Sequence, residues 1–306
     1  MAVPSTSSNF GDLLDPVFQQ IFNDELDSLP DMLPTLFTFP PMGQRGDSTK
    51  WSDVGAFDTF DEFTGSVNYD DVSQGYDVTA THLEFASGFQ VERKLFDDDR
   101  HDVMNEKPSG LADAAVRTRQ EHGAEVFNGA FSASSGFYSH SEGVALCSNS
   151  HTTTSEASTA SGFDNLTTSA LTHTAVTAAR IQFRGFRGDR AERRSFNPDE
   201  LWYPVDLYAQ ADEILKSIGR HDSADRTMNV HQGAYTGRDW EYLSDTNDWY
   251  MTDSRNRKKM LYWIDRVGLE FAFAEDLDSI IAKWRAYMRY SWAWRNWRWV
   301  LGAQVS

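Results

Sequence analysis

The sequence predicts an α+β chain, with one long helix laid on sheet and a strand-rich second half. Three observations predict it. From Ser109 to Phe131, apolar residues Ala112, Ala115, Val116, Gly123, Phe127 and Ala130 recur at spacings of three and four, the period of a helix face. After residue 201 the chain reads mainly as strands and holds nine of its ten tryptophans. The first 42 residues are broken by prolines and do not read as a compact unit.

The long helix is the element around which the rest is placed. Ser109 is expected to cap its start, and Asp113 puts negative charge at the positive helix end. Asp113, Arg117, Glu121 and Glu125 make the polar face, with opposite charges four residues apart. At the helical rise it would be roughly 34 Å long. The apolar stripe is thin, with Arg119 and Gln120 beside it. That predicts a rib lying on a sheet, its other side facing water or another subunit.

Composition bounds the function. The 306 residues suit one large domain or two modest ones, and 40% hydrophobic content supplies a core. The start shows no basic and apolar leader pattern, and no apolar run approaches the length of a membrane span. The single cysteine, Cys147, excludes an intrachain disulfide and a cysteine-based zinc cluster. A chain made and folded in a cytoplasm is expected. The net charge of −18 is uneven: residues 1–107 hold 21 acidic and 6 basic side chains, the remainder 25 and 22. Such a chain repels polyphosphate, so simple nucleic-acid binding is disfavoured.

Along the chain, Leu13 to Phe22 is a short amphipathic helix with Pro16 in its first turn. Pro30, Pro34, Pro40 and Pro41 then alternate with Leu33, Leu36, Phe37 and Phe39. An arm of this kind either docks on a neighbouring subunit or packs on its own chain; docking is the reading adopted. Residues 43–75 are an acidic loop punctuated by glycines, with some strand alternation from Thr59 to Tyr69. Tyr76 to Leu95 reads as strands bent at Gly88. Residues 132–174 are loop by composition, with Val144–Cys147 a short strand candidate. Leu166–Ile181 is a second helix, and 184–194 a basic glycine-containing loop. Leu201–Val205 is a strand that Pro204 places at a sheet edge or a strand end. Asp206 caps a third helix, Leu207–Ser217, ended by Gly219. Strands are expected at Glu241–Leu243, Trp249–Met251, Met260–Ile264, Leu269–Phe273 and Trp284–Trp294.

No catalytic, cofactor or metal residue is assigned. The eight histidines show no metal-ligand spacing; His140 with His151, or His101 with Asp97 and Asp98, would meet only by chance of folding. Cys147 has no basic neighbour and is expected to be buried and inert. Arg45-Gly46-Asp47 and Arg187-Gly188-Asp189 spell an adhesion tripeptide but suit tight loops equally. Lys283 to Arg298, with Trp299 beside it, interleaves five cations with seven aromatics and no acid. Base stacking with phosphate contact is one reading. Pairing of these cations with acidic surface on the same or the next subunit is the reading adopted.

Several segments together resemble the major capsid proteins of tailed bacteriophages, in particular the Mu-like major head subunit group. They are Gly143–His151 after the long helix, Asn197–Leu207 with the helix after it, and the late segments Trp240–Trp249 and Arg289–Arg295. The match runs over about residues 75–302. The resemblance implies the Hong Kong phage-type capsid fold. Its parts would be an N-terminal arm (1–42), an extended loop (43–75) and a peripheral domain (76–159) with the spine helix 109–131. An axial domain (160–255) and late strands returning to the peripheral domain (256–306) would follow. The implied function is a non-enzymatic head protein. It would self-assemble as hexamers and pentamers into the icosahedral shell around a double-stranded DNA genome, without sequence-specific binding and without a membrane. The implied place is the virion, with the host cytoplasm during assembly. A portal protein and a separate scaffold, protease or decoration protein are expected partners. Lys50 lies in the extended loop, yet no asparagine or carboxylate partner is placed, so no crosslink is expected. Deleting residues 1–42 is expected to leave soluble protein that makes no shells. The alternatives are a nanocompartment shell of the same fold, or an aromatic-rich carbohydrate-binding module or hydrolase using exposed tryptophans.

Overall fold

The computed structural model describes residues 10–41, 46–57, 59, 60, 62, 63, 65, 67, 69, 74–92, 94, 101–220, 227–276 and 281–305. Helix α1 (Phe10–Ser28) and the short α2 (Leu33–Leu36) precede strands β1 (Ser48–Val54), β2 (Gln74–Thr81) and β3 (Leu83–Glu92). Then come α3 (His101–Asn128), β4 (Tyr138–His140), β5 (Leu166–Thr167), α4 (His173–Arg184) and β6 (Glu200–Tyr203). A 3-10 turn (Val205–Leu207), α5 (Tyr208–Lys216), β7 (Thr236–Asp239) and β8 (Trp249–Thr252) follow. The chain ends with α6 (Ser254–Met260), β9 (Leu261–Asp276), β10 (Ile281–Trp294) and β11 (Val300–Ala303). The strands form three sheets, ordered β1-β2-β4, β3-β10-β9 and β5-β11-β8-β6-β7.

The rib on a sheet is present, and it starts earlier than expected. Helix α3 runs 28 residues, from His101 through Pro108. Ser109 is therefore no cap; its hydroxyl donates to Glu25 Oε2 of α1 at 3.0 Å. A proline inside a helix removes one backbone bond. Burial offsets that loss, because Met104 in the extra turns packs with Phe18, Val91, Ala282 and Trp284. The predicted polar face is in place: Asp113, Arg117 and Glu121 are exposed, and Arg117 bonds Asp113 at 3.3 Å. Arg119 pairs with Asp265 at 3.2 Å, and the buried Gln120 donates to Asp31 at 2.6 Å. Both are tied to neighbouring segments instead of facing water.

The arm packs on its own chain, contrary to the docking expectation. Helix α1 extends to 19 residues, with Pro16 in its interior. Phe18 and Phe22 are buried, Phe18 edge-on to Trp284 and Phe22 stacked on Phe271 at 4.7 Å. Leu33, Leu36 and Phe37 enter the main core. Leu33 sits where a side chain on Gly123 of α3 would be, 2.2 Å from that position, so the glycine lets arm and helix approach. Arg257, 1% exposed, donates to the Thr35 and Leu36 carbonyls at 2.7 Å each and pairs with Glu200 at 2.7 Å. Removing residues 1–42 would uncover these surfaces, so the truncated chain is not expected to stay soluble and folded.

Other local readings shift for tertiary reasons. The break between the strands in 76–95 falls at His82, and β2 and β3 lie in different sheets. Val144–Cys147 is not a strand: Cys147 is buried in the core while its amide bonds the Ala130 carbonyl. Leu166–Thr167 is a two-residue strand, and α4 begins only after Thr172, whose side chain accepts from Ala175 N. Pro204 marks a strand end, since β6 lies inside its sheet between β8 and β7. Helix α5 follows a 3-10 turn, with Leu207 at the cap position and no side-chain cap bond from Asp206. Its C-cap is Ser217 rather than Gly219. Glu241–Leu243 is a turn after β7. Of the expected strand Met260–Ile264, Met260 ends α6, and Leu261–Ile264 and Leu269–Phe273 belong to the single 16-residue β9. The last strand leaves β9 and β10 and pairs with β8 in the five-stranded sheet.

The Ser/Thr-rich loop after β4 is held by a buried polar chain. His151 Nδ1 bonds Glu142 Oε1 at 3.0 Å and Nε2 bonds Asn165 Oδ1 at 3.1 Å. Asn165 donates to the Leu146 and Val300 carbonyls, and the His151 ring stacks on Trp297 at 4.3 Å. Burial pushes the Glu142 carboxyl up, but the bonds from His151 and the Thr152 amide outweigh it. The group ends below its ordinary 4.5.

Two expectations follow from these buried groups. Arg257→Ala leaves Glu200 with only the more distant Arg238, at 3.9 Å, and the arm carbonyls without the guanidinium donor. It is expected to cost about 3–5 kcal/mol in denaturant unfolding and to expose residues 29–40 to protease. Glu142 adds stability at neutral pH that is lost as pH falls below its unfolded value and through its lower folded one. Glu142→Gln is expected to cost about 1.5–3 kcal/mol at pH 7. The gap from wild type should narrow in unfolding curves at pH 3.

Candidate assembly surfaces

Strands β1 and β2 form an antiparallel hairpin, from Ser48 opposite Thr81 to Val54 opposite Gln74. β4 extends the pair on the β2 side, with Val78 opposite His140. The roots of the hairpin are packed: Val78 and Ala80 are buried, and Trp51 stacks on Tyr262 at 5.6 Å. Lys50 crosses to Asp77 at 2.8 Å, and that bond holds the Asp77 carboxyl down at about 2. Lys50 is thus occupied within its own hairpin. Of the expected alternation from Thr59 to Tyr69, the described residues form no strand.

The far end of the hairpin is different. Phe57, Phe63 and Tyr69 are largely exposed, and Phe60 is 100% exposed. Between Asp53 and Asp71 the sequence holds six carboxylates and no lysine, arginine or histidine. Large aromatics held out in water on an acidic projection mark a surface meant for another protein. A second apolar group lies at the end of α5. Gly219 and Met228 pair as an antiparallel bridge, and Ile218, Met228 and Val230 beside it are exposed.

At one joint the hairpin meets the other sheets. His82, 5% exposed, is the single residue between β2 and β3. Its Nε2 bonds Thr49 Oγ1 of β1 at 3.1 Å, and its Nδ1 bonds Ser291 Oγ of β10 at 2.7 Å. Toward the other end of the paired strands, Arg295 pairs with Asp53 at 2.9 Å, a second tie between the hairpin and the end of β10.

The run from Lys283 to Arg298 resolves in favour of ion pairing. Trp284, Trp292, Trp294, Trp297 and Trp299 are all buried, so they offer no stacking platform for bases. Arg289 pairs with Glu84 and Arg295 with Asp53, both acids of the acidic first third. Arg298 is buried, donates to the Arg187 carbonyl and lies 4.7 Å from the Trp297 ring centre. Of the ten tryptophans nine are buried, and Trp51 is half-buried, which removes the support for a carbohydrate-binding reading.

The remaining sequence candidates are accounted for singly. Cys147 is buried, and burial pushes its thiol up, as an inert cysteine requires. Asp189 of the second tripeptide accepts from the Thr154 amide and hydroxyl, so that loop is internally bonded. Arg45, Asp97, Asp98 and the His101 side chain lie outside the described residues. His140 and His151 serve different partners, the Arg295 carbonyl and Glu142. Among the described residues no group of three or more His, Cys, Asp or Glu is placed to hold a metal ion, and no helix is long and apolar enough to cross a membrane. His82 was invisible in the sequence, since its two partners are 33 and 209 residues away.

Comparison with known proteins gives the same picture. The family described as phage capsid protein matches residues 75–303. No curated protein matches the sequence. Among solved structures, the mature capsid of bacteriophage PhiM1 is similar at a TM-score of 0.56 and 7% identity, over 91% of this chain and 88% of that one. The capsid of an empty GTA particle gives 0.53 at 13% identity, over 91% of each chain. The virus-like particle from Pyrococcus furiosus gives 0.51 at 10%, over 94% and 97%. At these identities the likenesses carry the fold, and the family match covers far more than half of the sequence. The chain belongs to the phage capsid protein family, and it is a capsid protein that builds the shell of a virion.

Proposed function

We propose that this chain is the head subunit of a tailed phage, assembling as rings of six and of five into an icosahedral shell around double-stranded DNA. The observation that carries the reading is the hairpin tip, with a wholly exposed Phe60 among exposed aromatics that the chain itself leaves uncovered. Each contact is small, and closed rings repeat it. On this reading residues 1–42 are the arm, 43–75 the extended loop, 76–159 the peripheral domain and 160–255 the axial domain, with 256–306 the late strands. The segments Gly143–His151 and Asn197–Leu207 support a place with the Mu-like major head subunits. The chain catalyses nothing, is assembled in the host cytoplasm and meets a portal protein. A separate scaffold, protease or decoration protein would supply what the subunit lacks. The acidic balance suits a shell that packed DNA does not stick to.

Expressed alone, the chain is expected to give rings or shells in light scattering and negative-stain microscopy. A monomer that persists at high concentration and with a scaffold co-expressed overturns the reading. Protein cargo in place of DNA in shells recovered from infected cells would point to a nanocompartment. Phe60→Asp is expected to change monomer stability by no more than about 0.5 kcal/mol, because the ring touches nothing in its own chain. It should lower shell yield at least about tenfold, the loss expected when each contact weakens by about 1.4 kcal/mol.

A further inference from the structure

The joint at His82 carries an inference about how the hairpin is set, which rests on the assembly reading above. We propose that His82 is a proton-operated tie at the hinge: neutral, it helps fasten the β1–β2 hairpin to the β3-β10-β9 sheet, and protonated, it loosens that joint. The geometry is that of a fastener. One ring spans a strand of the hairpin and a strand of the other sheet, through Thr49 and Ser291. Other ties cross beside it: the His82 amide donates to the Asp47 carbonyl at 3.0 Å, Arg289 Nε reaches the His82 carbonyl at 3.5 Å, Trp51 of β1 stacks on Tyr262 of β9, and Tyr138 of β4 packs on Trp292 of β10. A neutral imidazole, with one donor and one acceptor nitrogen, matches two hydroxyls that can each do either.

The surroundings resist a charge on that ring. The residue is buried. Arg289 of β10 and Arg266 of β9 face it, and Arg266 bonds the Gly46 carbonyl just ahead of β1. Asp47 is the acidic group that acts on it, and Glu84 of β3 is engaged by Arg289. Burial, then Arg289 and Arg266, lower the imidazole below its ordinary 6.5, with Asp47 opposing. When the joint opens, water reaches the ring and the ordinary value returns. The closed joint is therefore at full strength above pH 6.5. It weakens as pH falls below 6.5, by up to about tenfold in the closed-to-open ratio per pH unit, until the closed value is reached. A shell protein must place one hairpin at different angles in different rings, and a hinge that proton uptake loosens would let those angles be chosen during assembly.

The test is hydrogen exchange on the soluble full chain, corrected for intrinsic rates, from pH 7.5 to pH 5. Exchange in residues 48–52 and 77–83 is expected to rise as pH falls in wild type, and to stay nearly flat in His82→Gln, which keeps a donor and an acceptor. His140 on β4 also resists protonation, so the comparison between the two proteins isolates His82. An equal acid response in His82→Gln, or none in wild type, overturns the hinge. Should the variant fail to fold, the wild-type His82 ring is titrated by NMR; a midpoint at or above 6.5 overturns the proposal and one below it supports it. These readouts need no shells, so failure to assemble would bear on the capsid reading and leave the hinge to be judged separately.

Discussion

Strand β10 is the constraint on which the rest of the structure depends. Its 14 residues pair with β3 along one edge and β9 along the other, so its position fixes both neighbours. From Ala282 to Met288 one face is buried, and there Ala282 and Trp284 receive Phe18 of α1 while Ala286 receives Phe22 and Leu111. The other face carries Lys283 and Arg285 into solvent. From Tyr290 onward the alternation ends because both faces are covered: Tyr290, Ser291, Trp292, Ala293 and Trp294 are all buried. There the strand passes under the hairpin and into the main core. Loss of order in β10 would release α1, α3, the hairpin joint and the core edge together.

The charges follow from the same placement. A chain with a net charge of −18 must keep most carboxylates in water, since a buried unpaired charge is costly. The buried carboxylates among the described residues are bonded: Glu200 to Arg257, Trp202 and Thr252, the Glu142 side chain to His151 and the Thr152 amide, Asp248 to the Val305 amide, and Asp253 to the Asn197 and Asn256 amides. The acids of the hairpin divide by position. Asp77 and Asp53 near the base have cations, while the stretch beyond them has none in sequence. On the assembly reading proposed above, acidic residues on the projection would keep isolated subunits apart, and its aromatics would supply short-range attraction once a partner is in place.

The sequence made the face of α3 legible, because amphipathic period is a local property; Asp113, Arg117 and Glu121 are where that period puts them. It did not show the start of the helix, because the turns before Ser109 are held by Phe18 and Trp284, far away in sequence. Strand character in the tryptophan-rich half was legible too, but not the unity of β9. Its pairing with β10 shifts register opposite Val267 and Asp265, and that irregularity broke the alternation. The arm was misread because its prolines forbid regular structure without forbidding burial: Leu33 and Phe37 reach the core from a four-residue helix and the turn after it. Of the assembly surfaces, the acidic glycine-punctuated loop could be seen in sequence. The joint that holds it could not, because its bonds are made between residues that only the fold brings together.

Joint and tip explain one another. A projection that must meet a neighbour is stable only if its root is well packed, since its tip gains nothing from its own chain. Val78, Ala80 and Thr49 are buried at the root, whereas Val54 and Phe57 are already exposed. Here the chain passes from one sheet to the other through a single residue, and its side chain adds two hydroxyl bonds beside the apolar contacts of Trp51 with Tyr262 and of Tyr138 with Trp292. Hydroxyl bonds to a buried imidazole are directional, and on opening each can be replaced by a bond to water, so their net contribution is modest. The apolar contacts beside it respond to no change of proton concentration. The joint combines apolar contact with a polar tie, and on the hinge proposed for His82 only the polar tie answers to proton concentration.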